Sequence, residues 1–475
     1  MKQESDIGIA GLGVMGRNFM LNLADHGFNV AGFDIDPGKV DFQNKDQLHQ
    51  IRTTGKIEEF IAMLRRPRVV MLLVPAGKPV DSAISGFINH MQPGDIIIDA
   101  GNSYFRDTDR RIKDLAERDI MFMGVGVSGG EDGARNGPSI MPGGNEKAWE
   151  RVRTMFEAAA AKVNDMPCAS LLGSGSSGHF VKMVHNGIEY GIMQLIAETY
   201  DIMKHGLKLN DNQLHDVYDD WNNTELNSYL VGITADIFTI DDETGREKLI
   251  NSILDIARQK GTGMWTSQSA MELQVPVPTI DSAVMMRNLS AFKKERQQLG
   301  KIYTKNPGNV NGDKFLIKLK SALYAGMIIT YSQGMSLLAA ASEKYGYGLK
   351  LKEVTRVWKG GCIIRSALLN DISDAFSDRP DLPNLVMDEH ISRKIIRHIS
   401  HLREVVVYAA ETGIPAPSMM ASLAWLDALS SEWLPANLVQ AQRDYFGAHT
   451  YERIDKNGTF HTDWLKLKVH ENISH

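Results

Sequence analysis

The sequence predicts an α/β N-terminal domain built on a doubly wound parallel sheet, followed by a large all-α domain and a C-terminal tail. Three observations predict it. Across the first 180 residues or so, short apolar runs (Ile7–Ala10, Val30–Phe33, Val69–Val74, Ile96–Asp99, Ile120–Val125) alternate with mixed helical stretches. Near-continuous apolar runs suit strands covered on both faces, and their alternation with helices is the pattern of a parallel sheet. From about His179, long stretches of helical period take over, such as His179–His205 and Phe315–Tyr345. From Leu434 onward, aromatic and charged residues follow without a clear period, the texture of a tail docked on something else. The boundaries read as 1–178, 179–434 and 435–475. A length of 475 residues agrees with about three domains at ~150 residues each.

Composition narrows the class. Lys and Arg number 52 against 58 Asp and Glu, a net charge of −6, so no excess of positive charge is offered to a nucleic-acid backbone. Two cysteines, Cys168 and Cys362, exclude a disulfide scaffold and a cysteine-ligated metal cluster. No metal site is expected. No apolar run approaches the ~18 residues of a membrane-spanning helix, and no signal peptide is read at the N-terminus. The expectation is a cytoplasmic enzyme with neither nucleic-acid nor membrane partners.

The first element in the chain carries the first motif. The run Ile7-Gly8-Ile9-Ala10 leads into Gly11-Leu12-Gly13-Val14-Met15-Gly16. Glycines at this spacing allow a tight turn, close approach of a pyrophosphate, and close packing of the following helix on the strand. That helix's N-terminus supplies amide donors and the positive end of its dipole. A second strand ends at Asp34, 23 residues after Gly11, where a carboxylate grips a ribose diol. An ordinary strand–turn–helix is the alternative. Strand, loop, helix and acid together favour a dinucleotide-binding Rossmann domain.

The second constellation lies in His179–Tyr190, whose polar residues are His179, Lys182, His185, Asn186 and Glu189. At ~100° per residue, His185, Asn186 and Glu189 fall about −60°, +40° and −20° from Lys182. The remaining circumference (Phe180, Val181, Met183, Val184, Ile188) is apolar, so the helix is expected to be buried with a narrow polar stripe. Such a stripe is either an internal ion-pair network or a polar wall facing a cleft. Smaller signals are each weak alone. Asp99–Ser103 and Val127–Gly130 follow strands, Gln259-Lys260-Gly261-Thr262-Gly263 suits a phosphate, and Arg287, Arg443 and His449 have no local reading.

Five stretches carry a resemblance: VSGGEDGARNGPSIMPGG (Val127–Gly144), HFVKMVHNGIEY (His179–Tyr190), QKGTGMW (Gln259–Trp265), GGCIIRS (Gly360–Ser366) and LPANLVQAQRDYFGAHTY (Leu434–Tyr451). Long and in order, they resemble the long form of the 6-phosphogluconate dehydrogenase family, the decarboxylating enzymes of the pentose phosphate pathway. The likeness runs from about residue 7 to about residue 464, and it tips the helix toward the catalytic reading. It implies Lys182 as general base and Glu189 as general acid. It implies Asn102, Ser128, Gly129, Gly130, His185 and Asn186 for the substrate's carboxylate and hydroxyls, and Tyr190, Lys260, Thr262 and Arg287 for its phosphate. It implies a homodimer in which Arg443 and His449 complete the neighbour's site. On the cofactor side it implies Gly11, Leu12, Gly13, Val14, Met15, Gly16, Asp34, Ile35, Asp36, Val74, Pro75, Ala76 and Asn102.

The sequence departs from the family at a few places. Gly13 stands where many members have Ala, and Arg258 where a small residue is usual. NADP-using members end the second strand in Asn-Arg-Thr and often carry Lys at the position of Pro75. Here Asp34, Ile35 and Asp36 place carboxylates against a 2′-phosphate, so NAD is expected over NADP, with NADP or dual use as the alternative. A different β-hydroxyacid dehydrogenase would share the Rossmann start and the Lys–Asn helix but lack the phosphate residues. A non-catalytic binding protein would not need both Lys182 and Glu189.

Overall fold

The computed structural model describes residues 4–40, 50–303, 310 and 312–466. Two compact units form, Met1–Leu423 and Ala424–His475. In the first unit, seven strands make one sheet: β1 (Ile7–Ala10), β2 (Val30–Phe33), β3 (Ile51–Thr54), β4 (Val69–Leu72), β5 (Ile96–Asp99), β6 (Met121–Ser128) and β7 (Ser139–Gly144). Their order is β3-β2-β1-β4-β5-β6-β7, with the first six parallel and β7 antiparallel to β6.

The apolar runs are explained by cover on both faces. In β4, Val69 and Met71 join a core with Ile7, Ile9, Phe19, Trp149 and Phe156. Val70 and Leu72 join the opposite core with Phe33, Phe60, Phe87 and Ile97. Successive side chains alternate faces, and both faces are dry. Strand order reverses between β1 and β4, so the ends of β1, β2 and β4 border one crevice, the place where open α/β sheets take ligands.

Two strands fall outside the apolar-run reading. β3 is an edge strand, Ile51-Arg52-Thr53-Thr54, half-buried and polar because only one side is paired. β7 holds Pro142 and two glycines and returns antiparallel, and β6 extends to Ser128 rather than stopping at Val125. A small hairpin, β8 (Lys162–Val163) and β9 (Met166–Pro167), follows.

Beyond the sheet, the 25-residue helix Ser177–Asp201 is the central element, with most of its length buried. It packs on β6 and β7 at its start and on the helices Thr262–Glu272, Pro278–Ser290 and Gly312–Tyr345 along its length. Gly312–Tyr345 packs in turn on Glu389–Thr412. No helix among the described residues is long and apolar enough to cross a membrane.

The second unit corrects the expectation of an aperiodic tail. It contains the helix Ala436–Gly447 and a hairpin of β10 (Tyr451–Glu452) and β11 (Thr459–Phe460). Asp444 is the helix's one buried residue, while Leu438, Val439 and Phe446 are exposed, so no apolar stripe marks it in the sequence.

Candidate active site

The glycine loop joins β1 to the helix Val14–Asp25. Gly11 has φ +100°, and a side chain there would meet the Leu73 carbonyl 2.5 Å away. Any side chain at Gly16 would run into the Gly11 carbonyl, whereas one at Gly13 meets nothing within 4 Å. Alanine at Gly13 would therefore meet no other atom of the described chain. At the end of β2, Asp34 is nearly buried. Its Oδ2 accepts the Leu12 N–H at 2.8 Å, and its Oδ1 accepts the Asp36 N–H at 2.9 Å. One carboxylate thus pins the loop and the turn after β2, with lone pairs left over. Ile35 is 87% exposed. Asp36 accepts the Gly38 N–H at 3.0 Å and lies 3.6 Å from Lys39. Val14, Pro75 and Ala76 are exposed at the crevice, and Met15 and Val74 half-exposed.

After β5, Asp99 shapes the turn that carries Asn102. It accepts the Gly101 N–H at 3.0 Å and the Ser103 hydroxyl at 2.7 Å, and pairs with the buried Arg111 at 3.2 Å. Arg111, on the helix Phe105–Ala116, also reaches Asp81 and the Gly77 carbonyl, tying this turn to the preceding helix Lys78–Phe87. Arg111 did not stand out in the sequence, because its partners lie 12 to 34 positions away.

The polar stripe of the central helix is real. Lys182 is 7% exposed, and none of the described side chains forms an ion pair with it. Its stem lies on β6, where a side chain at Gly126 would sit 2.5 Å from Lys182 Cβ. Close backbone approach sets the lysine's place. His185 is fully buried against the Trp358 indole. Its Nε2 is 3.2 Å from Ser128 Oγ, and its Nδ1 is 3.0 Å from Asn186 Oδ1. Asn186 Nδ2 donates to Thr262 Oγ1 at 3.2 Å. The chain closes consistently when the Ser128 hydroxyl donates to Nε2 and Nδ1–H donates to Asn186, an assignment made from the network. Glu189 Oε2 lies 3.9 Å from His185 Nδ1 and remains partly open to solvent.

Burial acts on each ionisable group in this stripe. It lowers the Lys182 amine from its ordinary value, against the opposing pull of Glu189 and Cys362. It raises the Glu189 carboxyl, against Lys182 and Arg287. Burial, then the Lys182 charge, push His185 well below 6.5 and keep it neutral. A lowered lysine and a raised glutamate two turns apart are the setting for a base and an acid.

Arg287 stacks on Tyr190 with its guanidinium 3.3 Å from the ring centre, and its Nη1 donates to the Arg258 carbonyl at 3.4 Å. That contact uses the Arg258 backbone; nothing explains its side chain. Thr262 is buried at the start of Thr262–Glu272, and Lys260 is exposed just before it. Gly129 is left-handed before Gly130 opens a short helix. His179 is polar but structural: it bonds Thr108 at 2.6 Å and packs against Gly124 at the sheet. Arg443 and His449 belong to the second unit, where both are exposed, Arg443 bonded to Gln440 at 3.0 Å. Among the described residues, no group of three or more His, Cys, Asp or Glu could hold a metal ion.

A parallel sheet with a glycine loop at its switch point, joined to a buried lysine–glutamate helix, defines a nicotinamide-dependent dehydrogenase. Residues 6–169 match the NAD binding domain of 6-phosphogluconate dehydrogenase, and residues 178–464 match its C-terminal domain. The chain is 47% identical to the Arabidopsis thaliana decarboxylating 6-phosphogluconate dehydrogenase 2, over 99% of each chain. It is 46% identical to the NADP(+)-dependent decarboxylating enzyme of Bacillus subtilis, over 98% of this chain and 100% of that one. The Plasmodium falciparum enzyme, solved without ligand, with its cofactor NADP+ and with its substrate 6-phosphogluconate, matches with a TM-score of 0.93 at 43% identity, over 97% of this chain and 100% of that one. The chain belongs to the 6-phosphogluconate dehydrogenase family, as an NAD(P)-dependent decarboxylating oxidoreductase.

Proposed function

We propose that the chain oxidises 6-phospho-D-gluconate at C3 and releases CO2 to give D-ribulose 5-phosphate, preferring NAD, with Lys182 as base and Glu189 as acid. The observation that carries the acid–base assignment is Lys182 itself: a buried lysine without an ion-pair partner, on one stripe with Glu189. The nicotinamide, when bound, accepts hydride from C3. Lys182 as neutral amine takes the C3 hydroxyl proton. It returns that proton to the C3 oxygen as the C1–C2 bond breaks and its electron pair flows into the ketone. Glu189, held protonated by burial, then protonates C2, which becomes C1 of the product.

The other roles are assigned from the resemblance to the family. The Ser128–His185–Asn186–Thr262 chain, with Asn102, Gly129 and Gly130, suits the carboxylate and hydroxyls. Tyr190, Lys260, Thr262 and Arg287 suit the phosphate, at a helix start whose free amides favour an anion. In this reading residues 1–178 carry the cofactor and 179–434 the substrate. The tail 435–475 completes the site of a second copy through Arg443 and His449. The exposed Trp433, Leu434, Leu438, Val439 and Phe446 support a tail that is covered by another chain. The cofactor preference rests on Asp34, Ile35, Asp36 and Pro75, against relatives named for NADP. Two free, buried cysteines fit a reducing, cytoplasmic setting.

The pH profile of kcat/KM tests the acid–base pair. The base must be neutral, so activity falls as pH drops through the Lys182 pKa. The acid must be protonated, so activity falls as pH rises through the Glu189 pKa. Burial moves the lysine down from 10.5 and the glutamate up from 4.5, so neutral amine and protonated carboxyl coexist more than they would in water, and a bell-shaped profile is expected whose apparent limits belong to the coupled pair. Glu189→Gln should remove one limb. A flat profile, or one unchanged in Glu189→Gln, contradicts the assignment.

A further inference from the structure

Within the second unit, one carboxylate ties the helix Ala436–Gly447 to the chain on either side of the β10–β11 hairpin. Asp444, in the helix Ala436–Gly447, is fully buried. Its Oδ1 accepts the Thr450 N–H and the His461 Nδ1–H, each at 2.9 Å. Its Oδ2 accepts the Thr462 N–H at 3.0 Å and the Trp464 indole N–H at 2.9 Å. Four donors from two stretches of chain converge on two oxygens, and together they outweigh the cost of burial and hold this carboxyl down at about 2. The segment they hold is unusual. His449 lies between Ala448 and Thr450, whose φ values are +50° and +59°. Left-handed backbone is rare for alanine and rarer for a β-branched residue, and it persists only where the surroundings fix it. Here both ends of Thr450 are fixed: its N–H goes to Asp444, and its carbonyl accepts Gln440 Nε2. Gln440 Oε1 in turn accepts from Arg443 Nη1 at 3.0 Å. One network therefore sets the Arg443 guanidinium and the turn that presents His449.

We infer that Asp444 is a positioning residue for substrate binding, holding the His449 turn directly and Arg443 through Thr450 and Gln440. The inference rests on the proposed roles of Arg443 and His449 at the sugar phosphate. Asp444 touches neither substrate nor cofactor in this reading. It pre-organises two side chains that are otherwise exposed, long or on a strained turn, and so lowers the entropy lost when they close on a dianion. The conservative change Asp444→Asn keeps the shape of the side chain. It replaces one acceptor oxygen by an amide that meets donors.

The test is steady-state kinetics on the full-length enzyme, with its melting temperature as a folding check. Asp444→Asn should raise KM for 6-phosphogluconate roughly 10- to 100-fold while kcat moves less than about threefold. In the Arg443→Ala/His449→Ala background the same change should add less than about twofold, because its effect runs through those side chains. Gln440→Leu, which cuts only the Arg443 branch, should give a smaller KM rise in a normally folded enzyme; it stands in if Asp444→Asn does not fold. An unchanged KM in Asp444→Asn or, failing that, in Gln440→Leu, while Arg443→Ala raises KM, overturns the positioning role. A full Asp444→Asn effect in the double-alanine background overturns it as well. An unchanged KM in Arg443→Ala/His449→Ala shows instead that the underlying assignment of those two residues has failed.

Discussion

The end of β2 gives the sharpest handle on cofactor choice. The perturbation is the triple change Asp34→Asn, Ile35→Arg, Asp36→Thr. In the wild-type chain a 2′-phosphate of charge about −1.5 to −2 would face two carboxylates. Unit charges ~4 Å apart repel by about 4 kcal/mol at an effective dielectric of ~20. Two features reduce that figure. The Asp36 side chain is 52% exposed and lies 3.6 Å from Lys39, which offsets part of its charge. Asp34 spends part of its charge on the Leu12 and Asp36 amides. A residual of roughly 1.4 to 4 kcal/mol corresponds to about 10- to 1,000-fold preference for NAD. The triple variant removes both charges and supplies a guanidinium, so the ratio should move toward NADP by a similar factor. It should also lose about 1 kcal/mol of local stability, because an asparagine amide accepts the Leu12 N–H but not the Asp36 N–H as well. The assay is kcat/KM for each nucleotide at saturating 6-phosphogluconate. Equal values in the wild type, or a ratio that does not move in the variant, would refute the argument that this turn sets the choice.

Two further predictions concern stability and assembly. Glu198 is buried, accepts the Ser418 and Met419 amides at 2.8 and 2.9 Å, and is raised by burial from 4.5 to about 7. A folded-state pKa above the unfolded one means stability that is complete below about 4.5 and is lost as pH rises through about 7, amounting to about 3 kcal/mol. Denaturant melts should show Glu198→Gln gaining on wild type between pH 5 and 8; a pH-independent difference contradicts this. Mixing Lys182→Met with Arg443→Ala protein and assaying at 6-phosphogluconate well below the raised KM of Arg443→Ala should, after subunit exchange, restore about one quarter of wild-type activity, since half the dimers are mixed and each has one intact site. No recovery despite verified exchange contradicts a tail acting on its neighbour.

How much was legible in the sequence depended on where each residue's partners lie. The glycine loop and Asp34 were legible because strand, turn, helix and acid lie within 34 consecutive residues. The stripe of Lys182, His185, Asn186 and Glu189 was legible because one helical period gathers it. The edge strand β3 was not, since pairing on one side alone leaves no apolar run to read. The tail helix was hidden because it buries one aspartate rather than an apolar face. Glu198 and Asp444 share a different obscurity. Each satisfies backbone or side-chain donors brought near only by the fold, up to 221 positions away for Glu198. The cofactor turn was legible as charge, while its bond to Leu12 was not.

The most direct measurement is a single-turnover experiment on Lys182→Met, following reduced nicotinamide with 6-phosphogluconate and NAD, beside the substrate's dissociation constant by calorimetry. With Lys182 as the base, reduction should fall by at least about 10³-fold while substrate affinity stays within about tenfold, because binding rests on the phosphate residues. Near-normal reduction in Lys182→Met would contradict the assignment of the base.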